Sequence, residues 1–280
     1  MKAGRTGAVA ALAGALALSA LTAPTARAAD TGTVSGIVVN GGKPIVVGTT
    51  EVKKVPVLYR VSLPAGYRAA DPFPWNAGPY LYHGTTAVKG AGSGIGMSEY
   101  GCTDVSERVA QCAGTLSVDP RYDLDANGDA TTWTVGYGVV LFGDDDIKSE
   151  KYVATSGRVQ IRRYAKATVN AAPEPVAKGK PITVTGSLKR ADWAKHTYTG
   201  VADASVRLQF RPRGTASYYT VKTVRSSSTG ALRTTVTATL DGDWRWSFGG
   251  WSTTGGAVSS GDYVDVSGAG GNVRVAYARP

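Results

Sequence analysis

ASVRLQFRPRGTASYYTVKTVRSSSTGALRTTVTATLDGDWRWSFGG, residues 204–250, holds three runs that decide the fold class. Val206, Leu208 and Phe210 alternate with Arg207, Gln209 and Arg211. Thr234, Val236, Ala238 and Leu240 alternate with Thr235, Thr237 and Thr239, and Trp244, Trp246 and Phe248 with Arg245 and Ser247. A period of two with one apolar side is the mark of a strand packed on one face and wet on the other. Pro212-Arg213-Gly214, Thr229-Gly230 and Asp241-Gly242 part the runs with turn-forming residues. Short strands so spaced predict an antiparallel β-sandwich.

Upstream, Val55, Val57, Tyr59, Val61 and Leu63 alternate with Pro56, Leu58, Arg60 and Ser62. Pro56 lacks an amide donor, which suits an edge or a strand start. Trp133, Val135, Tyr137, Val139 and Leu141 share one face of a strand over residues 131–142. With the runs at 33–39, 115–119 and 152–164, residues 30–165 carry roughly seven strand-like segments, enough for a sandwich of their own. A second unit begins near Lys166 and is expected to fold alone through Ser267. Residues 90–101, from Gly90 to Gly101, read as a mobile glycine-rich loop. No long segment has a 3.6 period, so almost no helix is expected.

The start is an export signal over residues 1–28: Lys2 and Arg5, a small-apolar run over residues 8–23, then Ala26-Arg27-Ala28 as the cleavage site. The run is shorter than the ~20 residues of a membrane span. Removing Lys2, Arg5 and Arg27 takes Lys+Arg from 31 to 28 against 21 Asp+Glu, so the net charge falls from +10 to +7. A basic balance suits polyanionic partners such as wall polymers, or serves solubility alone. No basic run with interleaved aromatics appears, which argues against nucleic acid. Cys102 and Cys112 are the only cysteines and fit an oxidising exterior, so a disulfide is expected. Closing so short a loop is worth somewhat under the ~3 kcal/mol of a 15-residue loop.

One cluster has metal chemistry in its spacing. Asp123, Asp125, Asn127 and Asp129 place oxygens at alternate positions, Gly128 stands sixth and Thr131 ninth, as in the first half of a calcium loop. Thr134 stands where a complete loop needs a bidentate Glu, so any site is partial and weak. The competing reading is a hairpin turn on Asn127-Gly128, with Asp side chains capping local amides. Asp144, Asp145 and Asp146 lie a strand away, ~35–40 Å, and read as a solvated turn. Trp75, Tyr80 and Tyr82, in the Pro- and aromatic-rich residues 70–86, either stack on sugar rings of a cell-wall or other extracellular glycan or plug the end of a sandwich. His83 and His196 are the only histidines and fall in different units, and no Gly-x-Ser-x-Gly elbow is present. A hydrolase reading is therefore poor, and no catalytic residue or cofactor beyond calcium is expected.

The residues from Val169-Asn170-Ala171-Ala172-Pro173-Glu174-Pro175-Val176 through Trp193, the runs quoted above and Gly261-Asp262-Tyr263-Val264-Asp265-Val266 resemble an immunoglobulin-like module. Tyr82-His83-Gly84-Thr85, the two cysteines and Val118-Asp119-Pro120 resemble the first module of the same proteins, secreted two-module proteins of high-GC Gram-positive bacteria, some labelled calcium-binding. Residues 90–101 and the tail after Ser267 depart from that pattern. The expectation is all-β: two tandem immunoglobulin-like antiparallel β-sandwiches at residues 29–165 and 166–267, then a Gly-rich hinge and tail at 268–280. The resemblance implies a secreted, monomeric, non-enzymatic binding or structural protein.

Overall fold

The computed structural model describes residues 31–70, 74–144 and 146–268. The expected export signal, Asp145 of the acidic triplet and the expected tail from residue 269 lie outside them. The strands are β1 (Thr33–Val39), β2 (Ile45–Val47), β3 (Lys53–Ser62), β4 (Trp75–Tyr82), β5 (Met97–Ser106), β6 (Val109–Val118), β7 (Thr132–Phe142) and β8 (Ile147–Arg163). They continue as β9 (Ala165–Ala172), β10 (Val176–Ala177), β11 (Pro181–Asp192), β12 (Thr197–Gly200), β13 (Ser205–Pro212) and β14 (Tyr219–Arg225). β15 (Ala231–Thr237), β16 (Gly242–Phe248), β17 (Ala257–Val258), β18 (Asp262–Val264) and β19 (Val266–Ser267) complete them. One short helix, α1 (Ala87–Ser93), interrupts the strands.

β1-β3-β6-β5 forms one sheet and β2-β8-β7-β4 the other, with β2 parallel to β8 and the other pairs antiparallel. Lettered along the chain, these orders are A-B-E-D against A′-G-F-C, the arrangement of an immunoglobulin sandwich. The later strands pair as β9-β11-β15 and β14-β13-β16-β18, an A-B-E sheet with a C′-C-F-G sheet. The chain is thus all-β. Alternation accounts for the cores: Val55, Val57, Tyr59 and Val61 are buried, as are Val206, Leu208, Phe210, Trp244, Trp246 and Phe248.

Pro56 departs from expectation. It sits in the inner strand β3, paired with Thr115 of β6, one residue beyond the last β1 pair, Val39 with Val57. A missing amide is tolerated there because only one neighbour flanks it.

Residues 90–101 are not an irregular loop. Gly90 belongs to α1, whose N-cap Thr86 accepts the Lys89 amide, and Met97 opens β5. The glycines serve close approach. A Cβ on Gly90 would sit 2.5 Å from the Tyr82 ring, and one on Gly94 2.3 Å from the Leu81 carbonyl. Leu81 and Ile95 exchange backbone hydrogen bonds at 2.9 Å, tying the segment to β4.

The hydrophobic residues gather into two clusters. One runs from Val34 to Ile161 and the other from Ala165 to Val266, but Ala191 and Trp193 belong to the first. β11 carries them there. Its last four residues form a hairpin with β12 through a single 3-10 turn at Trp193–Lys195, closed by His196 in the left-handed region (φ 48°). The tip of that hairpin enters the first core.

Candidate functional site

The β6–β7 connection carries the acidic residues and crosses from one sheet of the first sandwich to the other. A tight hairpin turn is therefore impossible. Asn127–Asp129 forms a 3-10 turn, and Gly128 is absent from the glycines with positive φ. Leu124 is fully buried beneath the loop and anchors it.

Apart from Asp125, each expected calcium ligand makes hydrogen bonds of its own. Asp123 Oδ2 accepts the Asp119 amide at 2.6 Å. Asp129 Oδ2 accepts the Ala126 amide at 2.8 Å, while Oδ1 lies 3.2 Å from His83 Nε2. The Asp129 carbonyl accepts from Trp133 Nε1 at 2.9 Å and from the Thr131 amide at 2.8 Å. Thr131 offers its carbonyl to Ile161. Of these carboxylates only that of Asp125 is exposed and without a hydrogen-bond partner among the described residues. Among the described residues no three His, Cys, Asp or Glu side chains are grouped so as to hold a metal ion.

Asn127 is bonded to a distant part of the chain. Its Nδ2 donates to Asp192 Oδ1 at 2.9 Å, and its Oδ1 accepts the Trp193 amide at 3.0 Å. Trp193 Nε1 donates to the Gly48 carbonyl at 2.8 Å. The loop thus grips the hairpin tip of the second sandwich. No local signal marks this role, because the partners stand more than sixty residues away.

The same junction buries positive charge. Arg163, 7% exposed, donates from Nη1 to the Ala191 carbonyl at 3.3 Å, and Arg190 Nη1 to Thr254 Oγ1 at 3.2 Å. The Nε of each is buried without a partner among the described residues. Burial, reinforced by Arg190, pushes the Arg163 guanidinium down to about 10, and Asp192 offsets part of that. Both arginines stay charged at neutral pH.

Beside the acidic loop a hollow of about 200 Å³ is lined by His83, Ser93, Asp123, Asp125, Asp129 and Trp133. The His83 ring packs against Trp133 with centroids 4.2 Å apart and planes tilted by 56°. His83 and Asp129 resemble two members of a hydrolase triad, but Ser93 Oγ donates to the Lys89 carbonyl and no hydrogen bond joins it to His83.

The three expected stacking rings are not presented to solvent. Trp75, Tyr80 and Tyr82 are 8, 5 and 6% exposed. Trp75 Nε1 donates to Arg68 O, Tyr80 Oη to Ala87 O, and Tyr82 packs under Gly90. Rings so buried offer no open face for a sugar to stack on. Cys102 and Cys112 form a disulfide between paired positions of β5 and β6. The turn expected at the second acidic group is present, Gly143 N donating to Asp146 O at 2.8 Å.

No protein-family model and no curated protein matches the chain. Among solved structures, bovine butyrophilin aligns over 82% of this chain and 99% of that one, at 9% identity and a TM-score of 0.29. The D00-D0 domain of Intimin aligns over 81% and 98%, at 12% identity and 0.27. The full ectodomain (Ig1-Ig3) of mouse nectin-like molecule 4 aligns over 85% of this chain, which spans 65% of that one, at 12% identity and 0.24. Likeness at that level carries no argument about this chain, whose fold rests on its own strand order. Among the described residues no helix is long and apolar enough to cross a membrane.

Proposed function

We propose that this is a non-enzymatic extracellular protein, of the secreted two-module kind it resembles, in which two sandwiches joined into one body serve a binding or structural role. The observation that carries the reading is Trp193, fully buried in the core of a sandwich to which its own hairpin does not belong. A linker between independent modules needs no such graft. The disulfide and the export-type start support an extracellular setting. Small-angle scattering tests the joined body: one fixed interdomain geometry should fit the profile, and a need for many hinge angles would defeat the reading. Turnover of ester, peptide or glycoside substrates, lost on His83→Ala, would defeat its non-enzymatic half.

Weak calcium binding is a second reading, favoured by one observation: Asp123, Asp125 and Asp129 line the same hollow. Binding would have to displace amide partners of Asp123 and Asp129. Melts in chelator and in millimolar calcium, with magnesium as control, decide it. A calcium-specific rise lost in Asp125→Ala supports a site, and identical responses leave the loop as a clamp alone.

A further inference from the structure

The two sandwiches share a fold and differ in charge. Residues 29–165 contain 13 Lys and Arg against 14 Asp and Glu, net −1, whereas residues 166–267 contain 13 against 7, net +6. The basic residues are evenly divided and the acidic ones are not. Such asymmetry between halves points to an anionic partner for the second.

Four of the arginines in residues 166–267 share one surface. Cross-strand partners lie on the same side of a sheet. The pairs Arg207 with Ser247, Gln209 with Arg245, Arg211 with Asp243, and Ser205 with Arg225 therefore share the side opposite the buried Val206, Leu208, Phe210, Trp244 and Trp246. Arg207, Arg211, Arg225 and Arg245 thus stand on the outer face of β14-β13-β16-β18.

Three of their guanidinium groups are held in place. Arg245 lies 3.6 Å and Arg211 4.9 Å from the centroid of the Tyr218 ring. Gln209 Oε1 accepts from Arg245 Nε at 2.8 Å. Arg211 Nε and Nη2 reach Asp243 Oδ2 at 3.2 and 2.8 Å, and Arg225 pairs with Asp203. Among the described residues Arg245 and Arg207 have no carboxylate partner, and the exposed Arg207 side chain has no hydrogen-bond partner. A guanidinium fixed on an aromatic ring loses less entropy on binding than a free one.

We propose that this face docks a linear carboxylate-bearing polysaccharide, a polyuronate. The inference rests on the non-enzymatic binding reading above and goes beyond it by naming a face and a partner class. An open sheet face fits an extended polymer better than a small molecule, which takes a cavity. Charge complementarity fixes the sign of the partner. Asp243 shows how a carboxylate seats on this surface, against a guanidinium stacked on Tyr218. Arg207 and Arg245 are the positions left for carboxylates of the partner.

The test is affinity electrophoresis of the purified chain through gels containing polygalacturonate, neutral dextran or inorganic polyphosphate. Polygalacturonate should retard the protein, dextran should not, and salt should weaken the effect. The double variant Arg207→Ala, Arg245→Ala should lose about tenfold or more in affinity, the scale of one charge-assisted hydrogen bond. Arg207→Lys, Arg245→Lys keeps the charge and should recover only part of it, because the planar fork is lost. Unchanged melting of both variants confirms that they fold. Binding equal to wild type in the Ala variant, or equal retardation by polyphosphate, overturns the proposal. Neither result alters the scattering profile, so the joined-body reading stands or falls separately.

Discussion

The side-chain amide of Asn127 donates to the Asp192 carboxylate at 2.9 Å, and its oxygen accepts the Trp193 amide at 3.0 Å. One residue of the first sandwich thereby satisfies a buried carboxylate and the amide at the turn of a hairpin from the second. Asp192 also offsets the desolvation of Arg163 and Arg190 without a direct ion pair to either. The amide of Asn127 fixes where that negative charge sits.

Asn127→Ala should therefore destabilise the protein by about 1–3 kcal/mol, the range for leaving buried polar groups unpaired. Asp125→Ala, at an exposed carboxylate with no hydrogen-bond partner among the described residues, should stay within ~0.5 kcal/mol of wild type. Urea unfolding of the two variants makes the comparison. Equal midpoints would show that the loop does not clamp the junction.

Trp193→Ala should lose about 3–5 kcal/mol, as for other buried aromatic truncations. Trp193→Phe keeps most of the volume but not the donor to Gly48, and should lose roughly 1 kcal/mol plus a packing term. A fragment of residues 166–267 removes every first-sandwich partner of this ring. Its tryptophan emission should shift to the red of the full chain, even if the fragment folds. Emission matching the full chain would place the burial of Trp193 within the second sandwich alone.

The strands of the cores were legible because one-sided burial prints a period of two, as in Val55 to Val61 and Trp244 to Phe248. β4 hid the period because both its faces are covered, by the core and by α1, so Trp75, Ala77 and the residues from Pro79 to Tyr82 are all buried. β5 hid it for the opposite reason: it is an edge strand exposed on nearly every residue, and Gly94 and Gly96 before it and Gly101 within it mimic a loop. Asn127 was visible as a loop residue with oxygen chemistry, but its partners were not, since register between distant segments leaves no local trace. Trp193 stands in a short polar stretch with no period at all. The core it joins is set by the β11–β12 hairpin.

The glycines of the α1 region give a paired test. Gly90→Ala places a methyl 2.5 Å from the Tyr82 ring and should destabilise by about 1–3 kcal/mol, as overpacking does. Gly92, in the same helix, has nothing within 4 Å of its Cβ position. Gly92→Ala should stabilise by about 0.4–1 kcal/mol by restricting the unfolded chain. Thermal melts of the two variants should move in opposite directions. Two shifts of the same sign would return residues 90–101 to a loop without packing constraints.

Asp123 gives a pH signature. Burial raises its pKa above the ordinary 3.8, the Asp119 amide opposes the rise, and Asp119 and Asp125 reinforce it. A carboxyl raised in the folded state holds its proton where the unfolded chain has released it. As pH climbs from about 3.8 through the folded value, stability falls by linkage, and at neutral pH the whole penalty is present. Below the ordinary carboxylate range both states are protonated and the penalty vanishes. Asp123→Asn keeps an acceptor for the Asp119 amide and removes the charge. The variant should therefore be at least as stable as wild type at pH 7, with the difference shrinking steadily toward pH 3. Urea midpoints collected across that range decide the matter. A variant less stable than wild type at pH 7, recovering only in acid, would mean that the Asp123 charge is held by an attraction stronger than its burial.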